Sequence, residues 1–443
     1  MMNILNLPEY NVLTVQETDD AYRIEVETVN PPSFCPHCGT VANLYKHTKH
    51  NQLIMDLPMH GKQVGIHVIR QRYKCRECNQ TFYERLPRMD EKRGCTSRLL
   101  EYIEKQSLKR TFVSLAVEIG LDEKTIRNIF RDYVNRLEKT FRFQTPQWLG
   151  IDEIHLIKPR CVIANIQNNT IIDILPDRNK STVINYLQNL PDRQQIKYVA
   201  MDMWQPYRDA VKLVLPQAKI VVDKFHVVRM ANQALDTVRK SIRDNLSPKE
   251  RRTLMHDRFI LLKRRSDLDV REELILQSWT GFLKDLGLAY ELKESFYGIW
   301  DSKTKQEALQ GLRDWQKQIP GHLEYAFKDL LTALKNWESE IFTYFDRPIT
   351  NAYTECLNGL IRVMNRLGRG YSFDALRAKI LFTEGIHKEK KVNYKKQRFR
   401  DAETEVIGKT IMDYYFVCES NPEDINYGAD ISTLIQLLEE GKL

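Results

Sequence analysis

Residues 147–156, QWLGIDEIHL, open a series of apolar segments whose spacing decides the fold. The others are 161–176, CVIANIQNNTIIDILP; 196–204, IKYVAMDMW; and 218–227, AKIVVDKFHV. All are short, rich in Val and Ile, and read as strands. Between them, 181–190 and 205–215 carry helical spacing. The order is therefore three strands, a helix, a strand, a helix and a strand. A meander of three strands followed by alternating helix and strand is the RNase H-like plan, an α/β fold. From 226 to about 345 apolar positions recur at helical spacing, with Trp279, Trp300, Trp315 and Trp337 among them and no strand signal between. The sheet domain thus reads as split by a long all-α insertion, after which 351–367 forms another helix.

Two aspartates stand out inside this frame. Asp152 follows Leu149-Gly150-Ile151 in the first strand, and Asp202 ends the fourth, Val199-Ala200-Met201-Asp202. A charge set in or ending an apolar strand is costly unless something pairs with it, and a metal ion is one such partner. Glu355 lies on the helix after the insertion. In an RNase H-like fold the two strands and this helix converge, which brings three carboxylates together. Oxygen ligands of this kind suit two Mg²⁺ (or Mn²⁺) ions and in-line phosphoryl transfer, not zinc. Glu153 and Asp173 occupy equally strand-like positions, so no single acid carries the argument.

Toward the N-terminus, FCPHCGT and YKCRECNQTFY place Cys35, Cys38, Cys75 and Cys78 in two C-x-x-C knuckles. Two such turns complete a tetrahedral Zn²⁺ site, read as structural. Alternating apolar residues at 64–69 suit strands of a zinc ribbon, and His37, His47 and His50 are alternative ligands. A ribbon of this size is expected to take much of its folding energy from the metal. Residues 97–105, 112–119 and 125–137 read as three helices, with Gly120 at a turn and Asp122 as an N-cap. The stretch SLAVEIGLDEKTIRNIF fits a helix-turn-helix, whose second helix would present Lys124, Arg127 and Arg131 to a major groove.

Charge distribution supports a polyanionic partner. The chain has 443 residues and a formal net charge of +8. Residues 70–142 and 239–265 each carry a net of +7, and 387–400 (HKEKKVNYKKQRFR) holds seven Lys/Arg against one Glu. Separated basic patches suit DNA that touches the protein at several places. The segment 401–443 reverses sign, with ten acidic and two basic residues. Eight cysteines are too few for a disulfide scaffold. No apolar run reaches the ~18 residues of a membrane helix, and the N-terminus lacks a secretory pattern. A cytoplasmic, nucleoid-associated protein is expected.

Taken together, CPHCG with YKCRECNQTF, the helix-turn-helix, LGIDEIHL, VAMDMWQPYRDAV, VVDKFHVV and NAYTECLNGLIRVMNRLGRGYSFDALRAKIL occur in the order found in one family. Over roughly residues 34–385 the chain resembles a bacterial insertion-sequence transposase of the DDE class, of the ISL-type family with an N-terminal zinc ribbon. The resemblance implies Asp152, Asp202 and Glu355 as the catalytic, Mg-binding triad and Asp223 and His226 as an accessory motif. It also implies cleavage and joining of DNA strands at terminal inverted repeats, by a homodimer on paired ends. Asp223 ends the fifth strand and His226 lies one turn into the next helix, within reach of a scissile phosphate. Asn351 and Asn358 flank Glu355 by one turn each, and Arg362, Arg366 and Arg369 extend that helix with positive charge. In the insertion, Trp300, then Trp315, is the first candidate to stack on an unpaired base.

The expected organisation is a zinc ribbon at 1–90, a helix-turn-helix at 91–145, the RNase H-like domain at 146–240 and 346–400, the helical insertion at 241–345 and an acidic tail at 401–443. A DNA-binding regulator with an inactive nuclease-like domain is the competing reading, and a nuclease without strand joining a third.

Overall fold

The computed structural model describes residues 5–385 apart from 42–43 and 142–143. The basic stretch 387–400 and the acidic tail 401–443 lie outside the described residues. Strands β1 (Tyr10–Glu17), β2 (Ala21–Thr28), β3 (Leu44–Met59), β4 (Lys62–Cys75), β5 (Thr81–Tyr83), β6 (Met89–Asp90) and β7 (Cys95–Thr96) form one N-terminal sheet. Its spine is the long β3–β4 hairpin, turned at His60-Gly61, both of which have positive φ. Alternation along β2 and β4 buries Ile24, Val26, Val64, Ile66 and Val68 on one face, with Leu5, Leu7, Tyr10 and Leu86 over them. This sheet therefore has a hydrophobic core of its own, more than the small ribbon anticipated from the sequence.

Helices α1 (Ser97–Lys109), α2 (Phe112–Ile119) and α3 (Glu123–Thr140) follow. Each begins on a side-chain cap, from Thr96, Thr111 and Asp122 respectively. Gly120 ends α2 in the left-handed region at φ +81°, and a Cβ there would meet the Gln63 side chain at 2.5 Å. Only glycine makes this turn and admits the neighbouring strand.

The second sheet is built from β8 (Trp148–His155), β9 (Pro159–Asn165), β10 (Thr170–Leu175), β11 (Tyr198–Met201) and β12 (Lys219–Val222), in the order β10-β9-β8-β11-β12. The first three are antiparallel; β11 joins β8, and β12 joins β11, in parallel. Helices α4 (Lys180–Gln188), α5 (Gln205–Val214) and α6 (Lys224–Ser241) are interleaved as the sequence predicts. There follow α7 (Pro248–His256), α8 (Arg258–Leu262), α9 (Val270–Phe282), α10 (Lys284–Ile299), α11 (Lys305–Gln318) and α12 (Glu324–Phe342). No strand interrupts them among the described residues. Two last helices, α13 (Ala352–Gly368) and α14 (Phe373–Glu384), return to the sheet.

Side-chain alternation along β8 separates two faces. Leu149 and Ile151 join one continuous core with α4–α6 and with Leu276, Phe296 and Trp315 of the inserted helices. Ile154 faces the other way, against Leu357, Ile361, Leu376 and Ile380 of α13 and α14. The insertion thus shares the core of the sheet instead of closing one of its own.

Helix α14 also ties the three N-terminal helices to this unit. Ala378 and Phe382 enter the α1–α3 core. Arg377 pairs with Asp173 of β10 at 2.6 Å and with Glu138 of α3 at 3.3 Å. Lys379, 1% exposed, donates to the carbonyls of Ser107 and Arg110 at the end of α1 and sits over the rings of Phe112, Phe130 and Tyr371. No helix among the described residues is long and apolar enough to cross a membrane.

Candidate active site and nucleic-acid interface

Register puts three acids in a row. Ile151 pairs with Met201, and Met201 with Val222, across three adjacent parallel strands. The next residue of each strand is Asp152, Asp202 and Asp223. All three stand at the carboxyl edge of the sheet, where open α/β sheets place their ligands. Helix α13 closes on this edge from the β8 side. Its approach is allowed by Gly150: a Cβ there would lie 2.8 Å from both Asn351 Oδ1 and Thr354 Oγ1. Bare backbone at 150 is what lets the helix carrying Glu355 come this near.

Asp152 is 5% exposed. Its Oδ1 accepts from the Glu153 N–H and its Oδ2 from Asn358 Nδ2, each at 2.7 Å. Burial, and then the neighbouring Asp202, push its carboxyl up to about 7. Glu355 is raised as well, first by burial. His226 Nε2 lies 2.9 Å from Asp202 Oδ1 and 3.2 Å from Glu355 Oε1, at ion-pair distance though not aligned as a hydrogen bond. Burial disfavours its charge, but Asp202 and Glu355 outweigh that and raise it to about 9. At neutral pH an imidazolium therefore stands against Asp202 and Glu355.

The acids gather around a cation but are not drawn onto one point. Among the described residues, only the cysteine cluster has every ligand atom within 4.8 Å of the others. His226 supplies positive charge beside Asp202 and Glu355. Carboxylate oxygens of this kind, with Asp202 Oδ1 lacking a hydrogen-bond partner, are a donor set that fits a hard divalent cation.

Asp223, expected as an accessory residue, also holds backbone in place. It is 2% exposed, and its two oxygens accept backbone N–H groups, from Phe225 at 3.0 Å and Asn351 at 2.7 Å. It caps α6 and holds the start of α13 beside it. Asn358 likewise orients Asp152, a contact that its position one turn beyond Glu355 anticipates.

The basic residues are distributed as follows. Lys124 and Arg131 are exposed on one face of α3, while Arg127 on that face pairs with Glu123 at 2.5 Å and lies over the Phe112 ring. Arg362 and Arg366 are exposed on α13, and Arg369 follows at its C-cap. Trp300, expected to stack on an unpaired base, is partly buried, its ring packed among Phe296, Phe342, Tyr344 and Phe345 against the core. Trp315 is 1% exposed and donates Nε1–H to the Leu292 carbonyl. The exposed indole near the acids is instead Trp204, two residues after Asp202.

At the far end of β3 and β4 the two knuckles meet. Cys35 and Cys78 sulfurs are 3.7 Å apart, as are those of Cys38 and Cys75. Tetrahedral Zn–S bonds of about 2.3 Å require a sulfur separation of about 3.8 Å, and with all four sulfurs within 4.8 Å of one another the cluster fits a structural Zn²⁺. The histidines are not part of this cluster: His47 and His50 are exposed on β3, and His37 packs against Phe82.

Comparison with known proteins agrees with this layout. The family model described as Transposase, the DDE domain of ISL3 elements, matches residues 149–380. One described as zinc-finger of transposase IS204/IS1001/IS1096/IS1165 matches 31–78, and one for the helix-turn-helix domain of transposase family ISL3 matches 84–134. The transposase for insertion sequence element IS1001 of Bordetella parapertussis is 25% identical over 373 residues, 82% of this chain and 92% of that protein. The transposase for IS1557 of Mycobacterium tuberculosis is 25% identical over 292 residues, 59% of this chain and 65% of that protein.

Proposed function

The chain belongs to the ISL3 family of transposases, with its zinc ribbon, helix-turn-helix and DDE domain, and from that premise we propose that it cuts and joins DNA strands at the terminal inverted repeats of its own insertion sequence. The catalytic unit is read as an RNase H-like domain, 146–240 with 346–400, interrupted by the helical insertion 241–345. The ribbon at 1–90 and the helix-turn-helix at 91–145 would recognise the repeats. The observation that carries the reading is the placement of Asp152 and Asp202 side by side at one sheet edge, with Asp202 and Glu355 both against His226.

In this reading Asp152, Asp202 and Glu355 would hold two Mg²⁺ or Mn²⁺ ions. When bound, such ions activate the attacking hydroxyl and stabilise the leaving oxygen of an in-line displacement. Asn358 keeps Asp152 turned toward the site through the 2.7 Å hydrogen bond. His226, against Asp202 and Glu355, would be positioned to hold a phosphate oxygen or to give a proton to the departing one. Lys124, Arg127 and Arg131 would approach base edges in the major groove, and Arg362, Arg366 and Arg369 would follow the strand leaving the acids. A homodimer would hold two ends together in the cytoplasm, at the nucleoid.

The test is cleavage of duplexes carrying the inverted repeats that bracket the reading frame, with and without Mg²⁺. Metal-dependent nicking at the repeat boundary, followed by joining, supports a transposase. Specific binding with no cleavage in any divalent metal would favour the regulator.

A further inference from the structure

We propose that the cavity beside Asp202 is a nucleobase pocket, in which Trp204 stacks on one base drawn out of the helix next to the phosphate to be cleaved. The proposal rests on the reading of the three carboxylates as the cleavage site. The cavity holds about 300 Å³, and Asp202 and His226 form part of its wall. A nucleotide whose phosphate reached those residues would bring its base to the cavity mouth. That space is ample for one planar base.

The lining is suited to such an occupant. Trp204 is 39% exposed, a large apolar surface to leave in water at the end of a core strand. It is nevertheless fixed. Its backbone N–H donates to the Asp202 carbonyl at 2.7 Å, and the ring itself is braced by the Arg178 guanidinium, 4.7 Å from its centroid. Arg178 is in turn paired with Glu153. A rigid aromatic ring held in this way loses little freedom when a base stacks on it, and it accepts any base because each has a π face. Met203 and Met230 add polarisable sulfur to the wall.

Polar groups are present for a base edge. Gln233 offers an amide with both donor and acceptor, and its side chain makes no hydrogen bond among the described residues. Arg229, exposed at the same wall, has no acidic partner among the described residues and is free for the adjoining phosphate. Stacked duplex DNA cannot place a base face against Trp204, so occupancy requires that the base leave the stack. Trp204 thereby takes over the part that the sequence suggests for Trp300.

The experiment measures single-turnover cleavage by the full-length protein on repeat-end duplexes in Mg²⁺. The duplexes are either intact or made abasic, one position at a time, at nucleotides flanking the scissile phosphate. On intact DNA, Trp204→Ala is expected to cleave about 5- to 150-fold more slowly, the range that one base–aromatic stack corresponds to. Trp204→Phe, which keeps a ring, should retain most of the rate, and gel-shift affinity should change little. At one abasic position the wild type and Trp204→Ala should cleave at the same rate, because the base that Trp204 serves is gone. A penalty that persists undiminished at every abasic position, or no penalty on intact DNA, overturns the proposal. No cleavage by the wild type on any duplex overturns the carboxylate reading and the pocket with it, and is distinct from either result. Should Trp204→Ala fail to fold by thermal unfolding, Gln233→Ala carries the same abasic comparison.

Discussion

Replacing Asp152 with Asn should stabilise the metal-free protein above neutral pH while abolishing its response to divalent metal. Burial and Asp202 raise this carboxyl from 3.8 to about 7. A native pKa above the unfolded one means that the folded state binds the proton more tightly. The stability this gives is fully present below about pH 4 and is lost as pH rises through 7. At 1.36 kcal/mol per pKa unit, the distance from 3.8 to 7 sets an upper limit of about 4 kcal/mol. Relaxation and water entry at the sheet edge bring the expected gain of Asp152→Asn to roughly 2 kcal/mol at pH 8, falling toward zero at pH 4. The asparagine fits the local hydrogen bonds. Asn358 Oδ1 is buried without a partner, so a turn of the Asn358 amide would accept from the new Nδ2 while the Glu153 N–H keeps its oxygen. Thermal unfolding in EDTA at several pH values, then in Mn²⁺, measures all of this. A variant less stable than wild type at pH 8, or one that gains as much from Mn²⁺, would refute the placement of a strained carboxylate at 152.

Other expectations follow from contacts elsewhere. Cys75→Ser, or zinc chelation, should lower repeat binding and free the knuckles to proteolysis, while the Ile24–Val68 core keeps the rest of its sheet folded; zinc content and limited proteolysis check it, and cooperative loss of the whole sheet would contradict it. Gly150→Ala should cost about 1–3 kcal/mol by pushing α13 from β8, and should reduce cleavage well beyond that loss because Glu355 moves with the helix. Melting and cleavage rates measured together test the pairing of effects. Lys379→Met leaves the Ser107 and Arg110 carbonyls without their donor and should cost about 1–3 kcal/mol, with hydrogen exchange rising first at the end of α1.

Much of this architecture is legible in the sequence because the pattern has one cheap solution. The five catalytic-domain strands are short Val/Ile runs, and Asp152 and Asp202 each follow an apolar strand residue that register later pairs. The knuckles likewise encode their own geometry. What the sequence conceals is the work of neighbours far along the chain. Asp223 reads as a possible acid at the site, yet its oxygens are spent on Phe225 and on Asn351, 128 residues later. A tryptophan has the same letter in a core and at a cavity mouth, so Trp300 and Trp204 separate only when their surroundings are known. Exposure next to a strand-end aspartate was the signal for Trp204, and helical periodicity gave no access to it. The insertion reads as a domain because its helices are contiguous, but their apolar faces complete the core of the sheet. Arg377 and Lys379 lie in a helix matched on its own terms, and their partners on β10, α1 and α3 cannot be read from it.

The most direct test of the central claim is strand cleavage of repeat-end DNA in Mg²⁺ by the wild type, Asp202→Asn and Glu355→Gln, with gel shifts on the same DNA. Both substitutions remove a carboxylate charge beside His226 with little change in volume. The account predicts metal-dependent cleavage by the wild type, background cleavage by both variants, and unchanged binding in all three. Cleavage at the wild-type rate by Asp202→Asn or Glu355→Gln would contradict it.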